Sequence, residues 1–363
     1  MKSKIPNLKG MASSSTLELR VTQRAGTAFC RTKARRNSLF GFRMSAFILS
    51  LALVIYLNLG GASPAAEPAL HPSFRFTNTT DKSLALFESD RPVFVYNHGI
   101  IHQPGVPADR ARSTYVHPLY GLDGEVLTDD FPKDHFHHRG LFWAWPHVRI
   151  GEEHYDLWML KGIEQRFERW LAREAGAGGA TLGVENGWFV GDRKVVREQV
   201  WIRASPSGQD ERTLDVDLMW TPIGEPLTLE GAEGKSYGGL TLRFAPRTHT
   251  VITTPLGQGE QDLSITRLPW ADLSARFAGR AQASGAAIFV APDHPDYPPE
   301  WLTRHYGVLC LGWPGVKPKT FQPGETIRCR YRVWIHRGTA NAEKVSQAYR
   351  AYEQMVPVER EGN

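Results

Sequence analysis

Between Arg212 and Thr221 the chain alternates, with Leu214, Val216 and Leu218 at one parity and Asp215 and Asp217 at the other. A period of two puts the apolar side chains on one face of an extended strand and the carboxylates on the opposite, wet face. Similar short runs recur at 92–98 (PVFVYNH), 140–146 (GLFWAWP), 197–204 (REQVWIRA), 307–313 (GVLCLGW) and 326–335 (TIRCRYRVWI). Turn chemistry separates them: Asn186-Gly187 and Gly191-Asp192 read as two-residue hairpin turns, and the glycine-rich 175–180 as a hairpin loop. No repeat of fixed period is present, which argues against a propeller. The pattern predicts an all-β fold, a large antiparallel β-sandwich. One helix is expected at the C-terminal end, capped by Asn341 and carrying Val345, Ala348, Tyr349, Tyr352 and Met355 at helical spacing.

Charge is unevenly placed. The 363 residues carry a formal +5, yet residues 1–43 hold ten basic side chains against one acid, Glu18, so the remainder is −4. The basic stretch precedes an uncharged apolar run, 46–60, and the small residues 61–66, the order of a secretory signal peptide. The expected organisation is a signal peptide and leader at 1–66, with Met11 as an alternative initiator, followed by a single β-sandwich domain at 67–363. The expected location is extracytoplasmic, periplasmic or secreted, with membrane association only if the leader stays as an anchor. An acidic body gives nucleic acid no basic field to bind. Cys310 and Cys329 lie in strand-like stretches, where a disulfide and two buried thiols both fit; four-cysteine zinc chemistry is excluded by count.

Histidine marks the candidate site. Eight of thirteen fall between His98 and His154, and the densest stretch is 128–141 (TDDFPKDHFHHRGL). Read as extended chain, it sends His135 and His137 to one face and His138 to the other. Three roles fit. His135 and His137 could join a divalent metal, though nothing in the sequence requires one. The imidazoles could transfer protons near neutral pH, with Arg139 binding substrate. They could also be polar strand residues satisfied by neighbouring carboxylates.

Two further segments carry polar groups. The Pro-rich 291–306 holds Asp293, His294, Trp301 and Arg304, and 235–245 (KSYGGLTLRFA) places two glycines ahead of a strand bearing Arg243. Trp143 and Trp301 are the tryptophans nominated to stack on a sugar ring.

The segments 115–121 (YVHPLYG), 128–146, 237–245 and 293–298, with Trp301, Arg304, Tyr306 and Gly307, resemble a family of secreted bacterial proteins labelled "PmoA-like" or "methane oxygenase PmoA". One apolar run and a mean hydropathy of −0.35 do not suit the several spans of a membrane methane oxygenase, so methane oxidation is rejected. The resemblance implies an extracytoplasmic protein of sugar-degrading bacteria with a galactose mutarotase-like sandwich. The expected function is a carbohydrate-active enzyme (epimerase, lyase or glycoside-cleaving) acting on a small-molecule or oligosaccharide substrate. His135, His137 and His138 are the expected proton-transfer groups, and Arg139, Trp143, Arg243, Asp293, His294, Trp301 and Arg304 the substrate contacts. The alternatives are a non-catalytic sugar-binding domain and a metal-dependent enzyme centred on His135 and His137.

Overall fold

A computed structural model describes residues 73–355. The leader, its alternative start and Cys30 lie outside the described residues. Within them no helix is long and apolar enough to cross a membrane.

Two nine-stranded antiparallel sheets dominate. The first runs in space Phe74–Thr80, Ser83–Glu88, Arg91–Asn97, Tyr115–Leu119, Leu141–Ala144, Gly239–Arg243, Val308–Gly312, Glu300–Arg304, Thr266–Arg267. The second runs Gly257–Gly259, Arg247–Thr254, Trp270–Phe277, Ser284–Val290, Ile327–Arg337, Glu211–Pro222, Arg193–Ala204, Gly179–Val190, Glu164–Gly176. A four-stranded sheet (Lys319–Phe321, Leu227–Glu230, His147–Ile150, Glu153–Tyr155) completes the architecture. The all-β, antiparallel expectation is met, and the strand read from Leu214, Val216 and Leu218 buries those three side chains.

The two large sheets share one core. Trp145 and Trp313, which follow strands of the first sheet, pack on Trp188 and Trp220 of the second, at centroid distances of 5.1 to 6.3 Å. Glu198 sits fully buried among them. Its Oε2 accepts the indole N–H groups of Trp143 (2.9 Å), Trp188 (2.8 Å) and Trp220 (2.9 Å) and the Gln165 amide (3.0 Å). Its Oε1 accepts from Asn186 at 3.0 Å. A buried carboxylate is tolerated when donors surround it, and here those donors come from both sheets.

The same hub overturns one expected turn. Asn186 and Gly187 lie inside the strand Gly179–Val190, where the Asn186 amide is held by Glu198 and by the Tyr96 hydroxyl at 3.1 Å. Gly187 leaves room for the Phe189 ring, which a Cβ there would meet at 2.6 Å. The other two turns form as expected, Gly176 opposing Gly179 and Val190 opposing Arg193 across Gly191-Asp192. The C-terminal helix spans Ala342–Met355; Asn341 Oδ1 accepts from the Lys344 N–H at 2.8 Å, and Val345, Tyr349 and Tyr352 pack inward. Met355, placed on that stripe by its spacing, is 66% exposed at the last helical turn. Cys310 and Cys329 are buried free thiols rather than a disulfide.

Candidate active site

Strand parity builds the floor of the site. In the first sheet Thr241 opposes Cys310, Arg243 opposes Val308, and Leu302 and Arg304 oppose Cys310 and Val308 from the other side. Leu240, Leu242, Leu309 and Leu311 belong to the shared core. With a side-chain period of two, Thr241, Arg243, Leu302, Arg304, Val308 and Cys310 share the opposite face of the sheet, where Leu302, Arg304, Val308 and Cys310 line a cavity. The two glycines before this strand allow the approach of neighbouring backbone: a Cβ on Gly239 would meet the Leu311 carbonyl oxygen at 2.9 Å.

The histidine segment covers this face, folded rather than extended. The His135 N–H donates to the Pro132 carbonyl and the His138 N–H to the His135 carbonyl, each at 2.9 Å, so two successive turns compact the segment. All three imidazoles consequently line one cavity of about 220 Å³, together with Trp158, Met159, Lys235, Tyr237, Leu302, Arg304, Tyr306, Val308 and Cys310. The His135 ring lies parallel to His138 (4.6 Å, 7°) and to Tyr306 (5.3 Å, 8°), making a three-ring stack. His137 meets His138 edge-on at 4.6 Å, and Trp158 does so at 5.6 Å.

Behind the stack is a relay of charge. Arg243 donates to both oxygens of Asp134, at 2.8 and 3.0 Å, and Asp134 Oδ2 lies 2.9 Å from His135 Nδ1. Burial pushes the Asp134 carboxyl up, but the close contact with His135 and the hydrogen bonds and charge of Arg243 outweigh it and hold the group below the usual range. Burial pushes His137 down to about 3, assisted by the charges of His135 and Arg112, and pushes His138 well below the ordinary imidazole value. Both are neutral rings at pH 7.

Several expected substrate contacts lie elsewhere. Arg139 is fully buried and ties the turns together: its guanidinium covers the Phe131 ring at 3.6 Å and donates to the carbonyls of Phe136 and His138 at 2.7 Å each, and to that of Arg110. Trp143 opposes core-facing Leu240 and gives its N–H to Glu198; its neighbour Phe142, of opposite parity, lies beneath the histidines, 6.1 Å from His138. Trp301 is likewise core, donating to the Leu268 carbonyl at 2.7 Å, because it has the opposite parity to Arg304. Asp293 pairs with Arg330, outside the cavity. His294 is buried with both ring nitrogens engaged, by the Tyr331 hydroxyl at 3.1 Å and the Asp296 N–H at 3.2 Å.

Arg243 reaches the site as the partner of Asp134 rather than as a cavity wall. Of the residues that sequence reasoning missed, Lys235, Tyr237 and Tyr306 fall inside the motifs already singled out, whereas Trp158 and Met159 carry no signal of their own. The donors do not fit a metal. His135 and His137 meet edge-on at 5.6 Å between centroids, and among the described residues no three His, Cys, Asp or Glu side chains are placed to hold an ion.

Over residues 83–350 the sequence matches a family of unknown function, DUF6807. The chain belongs to that family. The PmoA-like label is no part of the DUF6807 description. No curated protein matches this DUF6807 chain. Among solved structures it is similar to a GH36 α-galactosidase from Geobacillus stearothermophilus (12% identity, 76% of this chain and 42% of that one, TM-score 0.35). It is also similar to a polysaccharide lyase (12% identity, 75% and 34%, TM-score 0.29) and a GalM/aldose epimerase homologue from C. elegans (7% identity, 74% and 100%, TM-score 0.31). The DUF6807 chain thus spans less than half of the first two. Scores this low leave the mutarotase-like expectation without weight, and the site is read from its own residues.

Proposed function

We propose that the protein is a carbohydrate-active enzyme that moves a proton on one sugar ring, with His135 as the base. The observation that carries this reading is the Arg243–Asp134–His135 relay opening onto an aromatic cavity. The Asp134 carboxylate, 2.9 Å from Nδ1 but off the hydrogen-bonding direction, acts through its charge: it stabilises the imidazolium that forms when Nε2 takes up a proton. His137 and His138, neutral and close by, serve as hydrogen-bonding groups for ring hydroxyls rather than as competing charges. Trp158, Tyr237 and Tyr306 supply the aromatic faces that sugar C–H surfaces stack on.

At about 220 Å³ the cavity is smaller than the pockets of drug-sized ligands and has room for a single ring. Epimerisation and elimination suit this arrangement. Glycoside cleavage by two carboxylates does not, because no aspartate or glutamate lines the cavity. We also place the protein outside the cytoplasm, on the leader pattern alone, and cell fractionation tests that placement.

The experiment is a turnover screen of monosaccharides and disaccharides in deuterated water, read by mass spectrometry and NMR. Solvent deuterium at one ring carbon, lost in His135→Gln, is the expected result. Binding of sugars with neither exchange nor conversion across the panel would instead establish a non-catalytic binding domain and sink the proposal.

A further inference from the structure

Two permanent cations reach the cavity wall, Lys235 and Arg304, and no carboxylate does. Lys235 projects from a turn fixed by its own backbone: its N–H and that of Ser236 both donate to the Ala232 carbonyl, at 3.1 and 2.7 Å, and the Ala232 N–H closes the loop on the Tyr237 carbonyl at 2.9 Å. Its ammonium makes no ion pair among the described residues. Arg304 is anchored differently. Its Nη1 donates to the Leu263 and Thr303 carbonyls at 2.9 and 2.8 Å, its Nη2 to Ser264 Oγ at 3.1 Å, and Asp262 stands 3.9 Å from its Nε.

More positive charge stands behind the wall. Arg112 is 3% exposed, its guanidinium covers the Phe142 ring at 5.4 Å, and its Nε and Nη1 have no hydrogen-bond partner. Asp262 partly balances Arg304, and Lys235 is exposed, so the wall of the cavity itself offers two cationic side chains and no carboxylate, a lining that a ligand carrying an anion complements.

We propose that the substrate carries a carboxylate, as in a hexuronic acid or its glycoside, and that Lys235 and Arg304 bind it. The chemistry rests on the proton-transfer reading of His135; the binding does not. His135 Nε2 takes the proton from the carbon that bears the carboxylate, and the C–H electron pair moves into the carboxylate, whose second negative charge the two cations neutralise. Water on the opposite face delivers a proton to that carbon and inverts it, and the hydroxide left takes the proton that His135 holds. Expulsion of the adjacent C–O oxygen, which takes a proton from water, leaves a C=C bond instead.

Calorimetry on the full chain with glucuronate, galacturonate and mannuronate, each beside its neutral hexose, tests the proposal. At least one uronate should bind about 10-fold or more tightly than its neutral counterpart, and Lys235→Gln should weaken it by about 10-fold or more, the scale of a charge-assisted hydrogen bond. Lys235 is exposed and unpaired, so this variant should fold. Equal or tighter binding of the neutral hexoses, uronate binding unchanged in Lys235→Gln, or no uronate binding at any attainable concentration would each overturn the carboxylate assignment. Uronate binding retained in His135→Gln supports it. Loss of the His135 requirement for turnover, with uronate binding intact, would refute only the proton-transfer reading.

Discussion

Asp134 Oδ2 lies 2.9 Å from His135 Nδ1, and the same carboxylate is gripped from behind by Arg243. On the proposed reading Asp134 is a positioning residue, whose charge steadies the His135 imidazolium while the opposite nitrogen meets the ligand.

Removing the base and removing its support should differ in degree. His135→Gln should lower kcat by about 10²- to 10⁴-fold, the usual contribution of a positioned proton-transfer group. Asp134→Asn keeps the shape but presents an amide, and should cost about 10- to 100-fold in kcat with little change in KM. Steady-state kinetics and the pH profile of both variants check this. An Asp134→Asn enzyme with wild-type kcat and pH profile would remove the relay from the mechanism.

Glu198 should matter for stability and not through contact with ligand. Glu198→Gln removes the charge on which the indole N–H groups of Trp143, Trp188 and Trp220 converge, and whichever way its amide is turned it sets an NH2 against donors, either those three or the Asn186 amide. Each orphaned buried group costs about 1–3 kcal/mol, so a loss of roughly 3 kcal/mol in urea unfolding is expected. Near-UV circular dichroism should report the disturbed tryptophans, and an unchanged urea midpoint would contradict the prediction.

Acid should destabilise the fold well above the carboxylate range. Burial pushes His117 down to about 4 and His294 and His137 to about 3, so between pH 6.5 and 4 the unfolded chain binds protons that the native state refuses. Stability from these depressed groups is complete above pH 6.5 and is lost as pH falls. Asp130, raised to about 6 by burial, acts oppositely and offsets about one proton. The net slope near pH 5 should be roughly 3 kcal/mol per pH unit. Tm measured from pH 7 to 5 should fall, and His294→Gln should flatten the decline; a Tm that rises toward pH 5 would reverse the sign.

Both described thiols should be inert in the folded protein. Burial pushes Cys310 up to about 11 and Cys329 to about 12, leaving almost no thiolate at pH 7. Alkylation mapped by mass spectrometry should label them only in denaturant. Labelling of Cys310 under native conditions would mean that the cavity opens to its floor.

Legibility from sequence followed the range of the interaction. Leu214, Val216 and Leu218 announced their strand because a period of two is a local property, and Asn341 announced its helix because a cap spans three residues. Asn186-Gly187 misled because a turn dipeptide is also what a buried hub needs, an amide to hold Glu198 and a missing side chain beside Phe189. His135, His137 and His138 were marked by density alone, since few folds spend three imidazoles in four residues without a use.

Parity relative to the core could not be read. Trp143 and Phe142, or Trp301 and Leu302, are neighbours in the chain, and which of each pair faces the cavity depends on which side of the first sheet the second one covers. The sequence by itself determined that the chain pairs into antiparallel strands, that a helix follows them, and that imidazoles and carboxylates gather near residue 135. Only the tertiary structure decided which side chains meet: it folded the histidines back over the sheet, brought Arg243 to Asp134 across 109 residues, and carried Asp293 and His294 away. Hydrophobic periodicity is written residue by residue, whereas convergence of a site depends on strand order, which no local pattern encodes.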